Sequence, residues 1–154
     1  MYIPVIMKTT KTLMLFVSLA WAVSTVAVTD ASGAPPSPDE DPIDREIERS
    51  LKMDGSKLGQ AQAYNRGHDQ WDAELNRVYQ KAQALLSADA EGKKTLKDAQ
   101  LAWIRFRDAE FKLIDRILDV NAGSVNVPAS ASARMKIVRE RALTLRRRVE
   151  QLSP

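Results

Sequence analysis

Residues 71–79 read WDAELNRVY and residues 100–108 read QLAWIRFRD. Both place hydrogen-bonding side chains where an ordinary amphipathic helix would carry apolar ones. Asp72 and Asn76 fall near the stripe of Tyr79, and Gln100, Trp103 and Arg107 share another. A carboxylate, an amide, a phenol, an indole N–H and a guanidinium can exchange directional hydrogen bonds and ion pairs. None of them is a nucleophile held beside a base. The chain has one histidine, His68, and no cysteine. A lone imidazole cannot build a triad or a zinc site, so His68 reads as structural or incidental. Asp108 and Glu110 point to different faces of one helix, which argues against a two-carboxylate mechanism. No glycine-rich phosphate loop is present. These residues therefore point to packing and recognition, with no enzyme activity, metal or cofactor expected.

The elements that must position them are helical. Pro42 opens a first helix to about Met53, with Ile43, Ile47 and Leu51 recurring every four residues. DGS at 54–56 breaks it. A second helix runs from about Lys57 to Leu86 on a stripe of Tyr64, His68, Trp71, Leu75, Val78, Ala82 and Leu85. Gly59 and Gly67 weaken its first half by roughly 1 kcal/mol each relative to alanine. That half is expected to fray, bend or be set by contacts with the first helix. After SADAEG, where Ser87 is the expected N-cap, a third helix runs from about Asp89 to Val120. It carries Leu96, Ala99, Trp103, Phe106, Leu113 and Ile117, with Ile104, Phe111 and Ile114 broadening the apolar face. Residues 121–132 read as a loop. A fourth helix, from about Ser132 to Leu152, has the most regular stripe: Met135, Val138, Ala142, Leu145, Val149 and Leu152. No segment alternates as a strand does. The fold class is all-α, a small antiparallel bundle of three long helices plus a short N-terminal one, with the three long helices carrying the core.

A hairpin of the second and third helices suggests a role for the polar residues. Facing positions in such a hairpin have nearly constant index sums. Asp72 with Arg107, Asn76 with Trp103, Tyr79 with Gln100 and Leu75 with Ile104 all add to 179. One register would pair an acid with a guanidinium, an amide with an indole and a phenol with an amide.

The N-terminus has a different composition. Lys8 and Lys11 precede the apolar run LMLFVSLAWAVSTVAV at 13–28, followed by small residues. This is the pattern of a secretory signal peptide, and the run is shorter than the ~20 residues of a spanning helix. We read residues 1–31 as a signal peptide, 32–41 as a proline-rich linker and 42–154 as the helical domain. The expected location is a periplasm or the exterior, with no stable membrane anchor after processing and no lipobox. Removing residues 1–34 takes away Lys8, Lys11 and Asp30, leaving 21 basic and 19 acidic residues, a net charge of +2. That balance does not suit a dedicated nucleic-acid binder. The fourth helix is nonetheless dense in cations. Arg139, Arg146, Arg147 and Arg148 are candidates for contact with an anionic surface, or for pairing with the acidic segment DEDPIDREIE at 39–48.

The pattern WDxELNxxY, followed about two dozen residues later by LxxAQxxWxxFRDAE, resembles the lysozyme inhibitor LprI-like family. The matching residues are Trp71, Asp72, Glu74, Leu75, Asn76 and Tyr79, then Leu96, Ala99, Gln100, Trp103, Phe106, Arg107, Asp108, Ala109 and Glu110. A weaker likeness extends from Ile43 to Leu152 and includes RERALTLRR at 139–147. The resemblance implies a small secreted or periplasmic helical domain that inhibits lysozyme by protein–protein contact. Many relatives carry cysteines in the first helices and after the RD motif, where a disulfide can pin the hairpin. This chain has residues such as Ser50, Ala63 and Phe111 in those stretches. The alternative expectation is an envelope structural or assembly protein that binds another protein or an anionic surface without acting on lysozyme.

Overall fold

The computed structural model describes residues 40–122 and 126–152. The expected signal peptide, 1–31, and all but the last two residues of the expected linker lie outside the described residues. Four helices follow in order: α1 (Pro42–Met53), α2 (Lys57–Leu85), α3 (Ala90–Ala122) and α4 (Val127–Leu152). Every regular element among the described residues is helical, so the all-α architecture of one short and three long helices is the one read from the periodicity.

Local chemistry sets the helix starts. Asp41, assigned above to the linker, is the N-cap of α1: its Oδ1 accepts the Ile43 N–H at 2.9 Å, with Pro42 in the first turn. Ser56 Oγ caps α2 by accepting the Gly59 N–H at 3.0 Å. The α3 cap is Asp89, whose Oδ1 accepts the Gly92 N–H at 2.8 Å, and not the expected Ser87. The fourth helix begins at Val127, five residues earlier than the sequence suggested. Proline is tolerated in a first turn because its missing N–H would have no helical partner. The buried Pro128 and Ala131 then extend the apolar stripe towards the N-terminus.

The core lies between α2 and α4, with α1 closing one side. Trp71, Leu75, Val78 and Ala82 of α2 meet Met135, Val138, Ala142, Leu145 and Val149 of α4, and Ile47 of α1 completes the cluster. The two helices run in the same direction: Gly67 lies beside Met135 and Glu74 beside Arg146. The glycines do not break α2. A Cβ at Gly67 would stand 2.5 Å from Ile47 Cδ1, so the missing side chain lets α1 lie close.

The three long helices pack together as expected, but α3 contributes least to the core. None of its described side chains is fully buried. Leu96, Trp103 and Phe111 are partly buried against the core, whereas Phe106, Leu113 and Ile117 are 53%, 49% and 51% exposed. This helix leans mainly on α4 and touches α2 little. No helix among the described residues is long and apolar enough to cross a membrane.

Candidate functional site

Trp71 is the centre of the most organised polar cluster. It is 0% exposed and lies on the α2 stripe, under the cleft between α1 and α4. Its Nε1–H donates to Asp44 Oδ1 at 3.3 Å. The guanidinium of Arg139 lies 5.5 Å from the Trp71 ring centroid and that of Arg146 lies 5.6 Å from it. These distances suit cation–π attraction. Arg139 grips Asp44 bidentately: Nε donates at 2.9 Å and Nη2 at 2.6 Å. Arg146 Nη1 donates to Asp41 Oδ2 at 2.7 Å, and its Nε and Nη2 donate to Glu74 Oε1 at 3.1 and 2.7 Å. Arg77 holds the same Glu74 from the next turn, with Nε to Oε2 at 2.6 Å. Three carboxylates thus meet three guanidiniums around one indole. Asp41 acts twice, capping α1 with one oxygen and fixing it to α4 with the other.

The electrostatics follow from those bonds. The Arg77 hydrogen bond, with further help from Arg146, holds the Glu74 carboxyl below the usual glutamate range despite partial burial. Burial works against the charge on Arg146, but its bonds to Asp41 and Glu74 outweigh that and raise its pKa. The Asp44 hydrogen bond likewise raises Arg139. Every carboxylate of the cluster is held by at least one guanidinium, and together these bonds tie α1 to α2 and α4. Above it opens a cleft of about 740 Å³ with Glu40, Glu48, Glu140 and Lys136 in its wall. Desolvation, then the charge of Glu48, pushes the Glu40 carboxyl up.

The residues of the two sequence motifs are placed differently from the expected register. Asp72 accepts from Asn76 Nδ2 within α2, by its carbonyl at 2.9 Å and its carboxylate at 3.1 Å. Tyr79 Oη accepts from Gln83 at 3.4 Å. Arg107 binds Asp108, its neighbour, with Nη2 at 2.7 Å, and lies 5.4 Å from the Trp103 ring centroid. Gln100 Oε1 accepts two bonds from Arg141 of α4, at 3.1 and 2.9 Å. The polar pairs proposed between α2 and α3 therefore do not form. One ring contact between these helices, His68 with Phe111 at 6.1 Å between centroids, does add to 179. The hairpin turns in the expected sense, but α3 stands off because α4 fills the space beside α2. Asp72→Ala, Arg107→Ala and their double mutant should accordingly show additive losses, within about 0.3–0.5 kcal/mol, in urea melts.

Of the four cations proposed to face an anionic surface, Arg139 and Arg146 turn instead to Asp41, Asp44 and Glu74. Arg147 and Arg148 remain exposed, Arg147 donating to Thr144 at 3.2 Å. Two members of the pairing, Asp41 and Asp44, lie in the acidic segment that the sequence offered as the alternative partner of these arginines. Glu74 was legible only as a motif residue. What could have singled it out is its position three residues after Trp71, within reach of the same α4 cations. Among the described residues no group of three or more His, Asp or Glu could hold a metal ion.

The fold is thus a small all-α domain in which a tryptophan sits between two arginines, with the WDAELN motif on α2 and the FRDAE motif on α3. The family model "Lysozyme inhibitor LprI" matches residues 49–145, and the chain belongs to this family. It is an inhibitor family rather than an enzyme family. The match includes Trp71, Glu74 and Arg139, while Asp41 and Asp44 precede it and Arg146 follows its last residue. Among solved structures the chain is similar to the crystal structure of an uncharacterized protein from Burkholderia thailandensis, at 29% identity and a TM-score of 0.67. The likeness covers 75% of this chain and 56% of that one, so the chain spans little more than half the neighbour's length. A comparison with the curated proteins found no significant match.

Proposed function

We propose that the protein is exported and acts outside the cytoplasm as a lysozyme inhibitor, by protein–protein contact. Membership of the LprI family carries this reading. The cleft over Trp71 supports it: Asp41 and Asp44 are neutralised internally, which leaves Glu40, Glu48 and Glu140 as acids at its mouth. Surface acids suit a basic glycosidase, with complementarity acting on encounter and specificity. The internal ion pairs keep α1 in place, so the acids are presented on a fixed ridge.

Turbidity loss of a peptidoglycan suspension tests the proposal directly. Equimolar protein should slow lysis, and unchanged lysis at several-fold molar excess would rule the reading out. Glu40→Lys with Glu48→Lys should weaken inhibition about tenfold while leaving the urea midpoint close to wild type. Glu40 takes up its proton more readily than an ordinary glutamate, so inhibition should weaken as the pH is lowered.

A second reading, an envelope assembly protein, rests on the outer edge of α3, where Phe106 and Leu113 are about half exposed. Pull-down from an envelope extract favours it if one non-lysozyme partner dominates and Phe106→Ser abolishes capture.

A further inference from the structure

A second cleft, of about 600 Å³, opens between α3 and the α2–α4 pair near the α2–α3 turn. Its size falls within the usual ~300–1,000 Å³ of small-ligand sites. Leu86, Leu96, Leu145 and Leu152 line it, with Arg141 and Arg148 along the α4 side. The cleft exists because Arg141 spans the helices where an aliphatic residue would draw them together. Its guanidinium reaches Gln100 and lies 5.7 Å from the Trp103 ring centroid, so α3 is held off there by a long polar side chain. Beyond that contact, towards the α2–α3 turn, the leucines line a gap.

Charge indicates what the gap suits. Neither Arg141 nor Arg148 has a carboxylate within ion-pair distance among the described residues. Burial, and then the charge of Arg148, lowers the pKa of Arg141, which marks a half-buried cation short of a counterion. The two acids in the wall do not fill that role: Asp89 caps α3, and Glu91 lies on its first turn, about 14 Å of helix from Gln100. From Arg141 to Leu152 the cleft follows α4 for about 16 Å, room for an extended chain.

We infer that this cleft binds a single-chain anionic amphiphile, its headgroup on Arg141 and its tail along the leucines towards Leu152. A carboxylate or phosphate head would supply the missing counter-charge, and an acyl tail would cover apolar surface that α3 leaves open. The site is separate from the acidic cleft over Trp71 and does not depend on lysozyme inhibition.

Calorimetric titration of the full chain with sodium dodecanoate below its micelle concentration tests the inference. One dodecanoate should bind per chain with helicity unchanged by circular dichroism. Dodecyltrimethylammonium, with the opposite head charge, should bind at least tenfold more weakly, and acetate should not bind. Arg141→Gln should weaken dodecanoate about tenfold. Ala99→Trp, a substitution at an exposed position in the cleft wall, should block it without unfolding the core. Equal binding of the two amphiphiles would overturn the inference. So would unchanged dodecanoate affinity in the folded Ala99→Trp variant, or binding only of an acidic helical peptide.

Discussion

Trp71→Ala should lower the free energy of unfolding by about 3–5 kcal/mol, measured by urea melts followed through helical circular dichroism. The indole is 0% exposed and fills the junction of α1, α2 and α4, so truncation leaves a cavity that three helices cannot easily collapse. It also removes the ring against which Arg139 and Arg146 stack and the N–H that Asp44 accepts. Trp71→Phe separates these contributions. Phenylalanine keeps most of the apolar volume and the ring face but loses the donor. Asp44 retains Arg139, so the loss should be nearer 1–2 kcal/mol. Equal losses for the two variants would mean that the hydrogen bond, not packing, dominates this junction.

Arg146→Ala should cost about 2–3 kcal/mol, whereas Arg147→Ala, one residue along, should stay within ~0.5 kcal/mol. The contrast comes from what each arginine leaves behind. Arg146 is 28% exposed in its side chain and satisfies Asp41 and Glu74, which are only 12% and 13% exposed. Its removal leaves Asp41 with only its cap bond to the Ile43 N–H and leaves Glu74 with Arg77. Because Arg146 itself is partly solvated, the loss should fall below the ~3–5 kcal/mol of a fully buried pair. The pH dependence should move with it. Glu74 titrates lower in the folded protein than in the unfolded chain. Its stabilising contribution is therefore complete above the ordinary glutamate value of about 4.3 and is lost as the pH falls through the lowered folded value. In Arg146→Ala that acid-side slope should be shallower, since part of the depression is gone. An unchanged slope would assign the whole effect to Arg77.

The helices were legible because their apolar residues recur at helical spacing, and the regular α4 stripe is buried as read from Met135 to Val149, while its last member, Leu152, is 58% exposed. The neighbour of each helix was harder to read. Periodicity shows that a face exists, not what covers it. On α3 two apolar faces lie side by side: Leu96, Trp103 and Phe111 turn inward, while Phe106, Leu113 and Ile117 turn outward. Merged into one broad stripe, they look like a core helix. The 179 register had a similar weakness. A constant index sum describes any antiparallel hairpin, whether its helices touch closely or stand apart, and the sequence did not show that α4 would take the position beside α2. The VPASAS stretch read as loop because small residues and a proline obscure a helix start. Pro128 and Ala131 are in fact part of the buried stripe. In the candidate site, Trp71 was visible from its motif. Its acidic partners Asp41 and Asp44 lie about 100 positions from the arginines they bind, a separation at which charge composition suggests a partner but gives no geometry.

The burial of α2 against α4 has a kinetic consequence. The two surfaces that close over each other are separated in the chain by all of α3, which offers neither of them a full substitute. A ribosome that has released everything up to residue 126 has produced a polypeptide whose main apolar stripe still lacks its cover. The complete core must then wait for the last 28 residues, and contacts of such long sequence separation are slow to close. Until then the emerging chain remains open to chaperones and proteases, and a fragment cut before Val127 should give no cooperative melt.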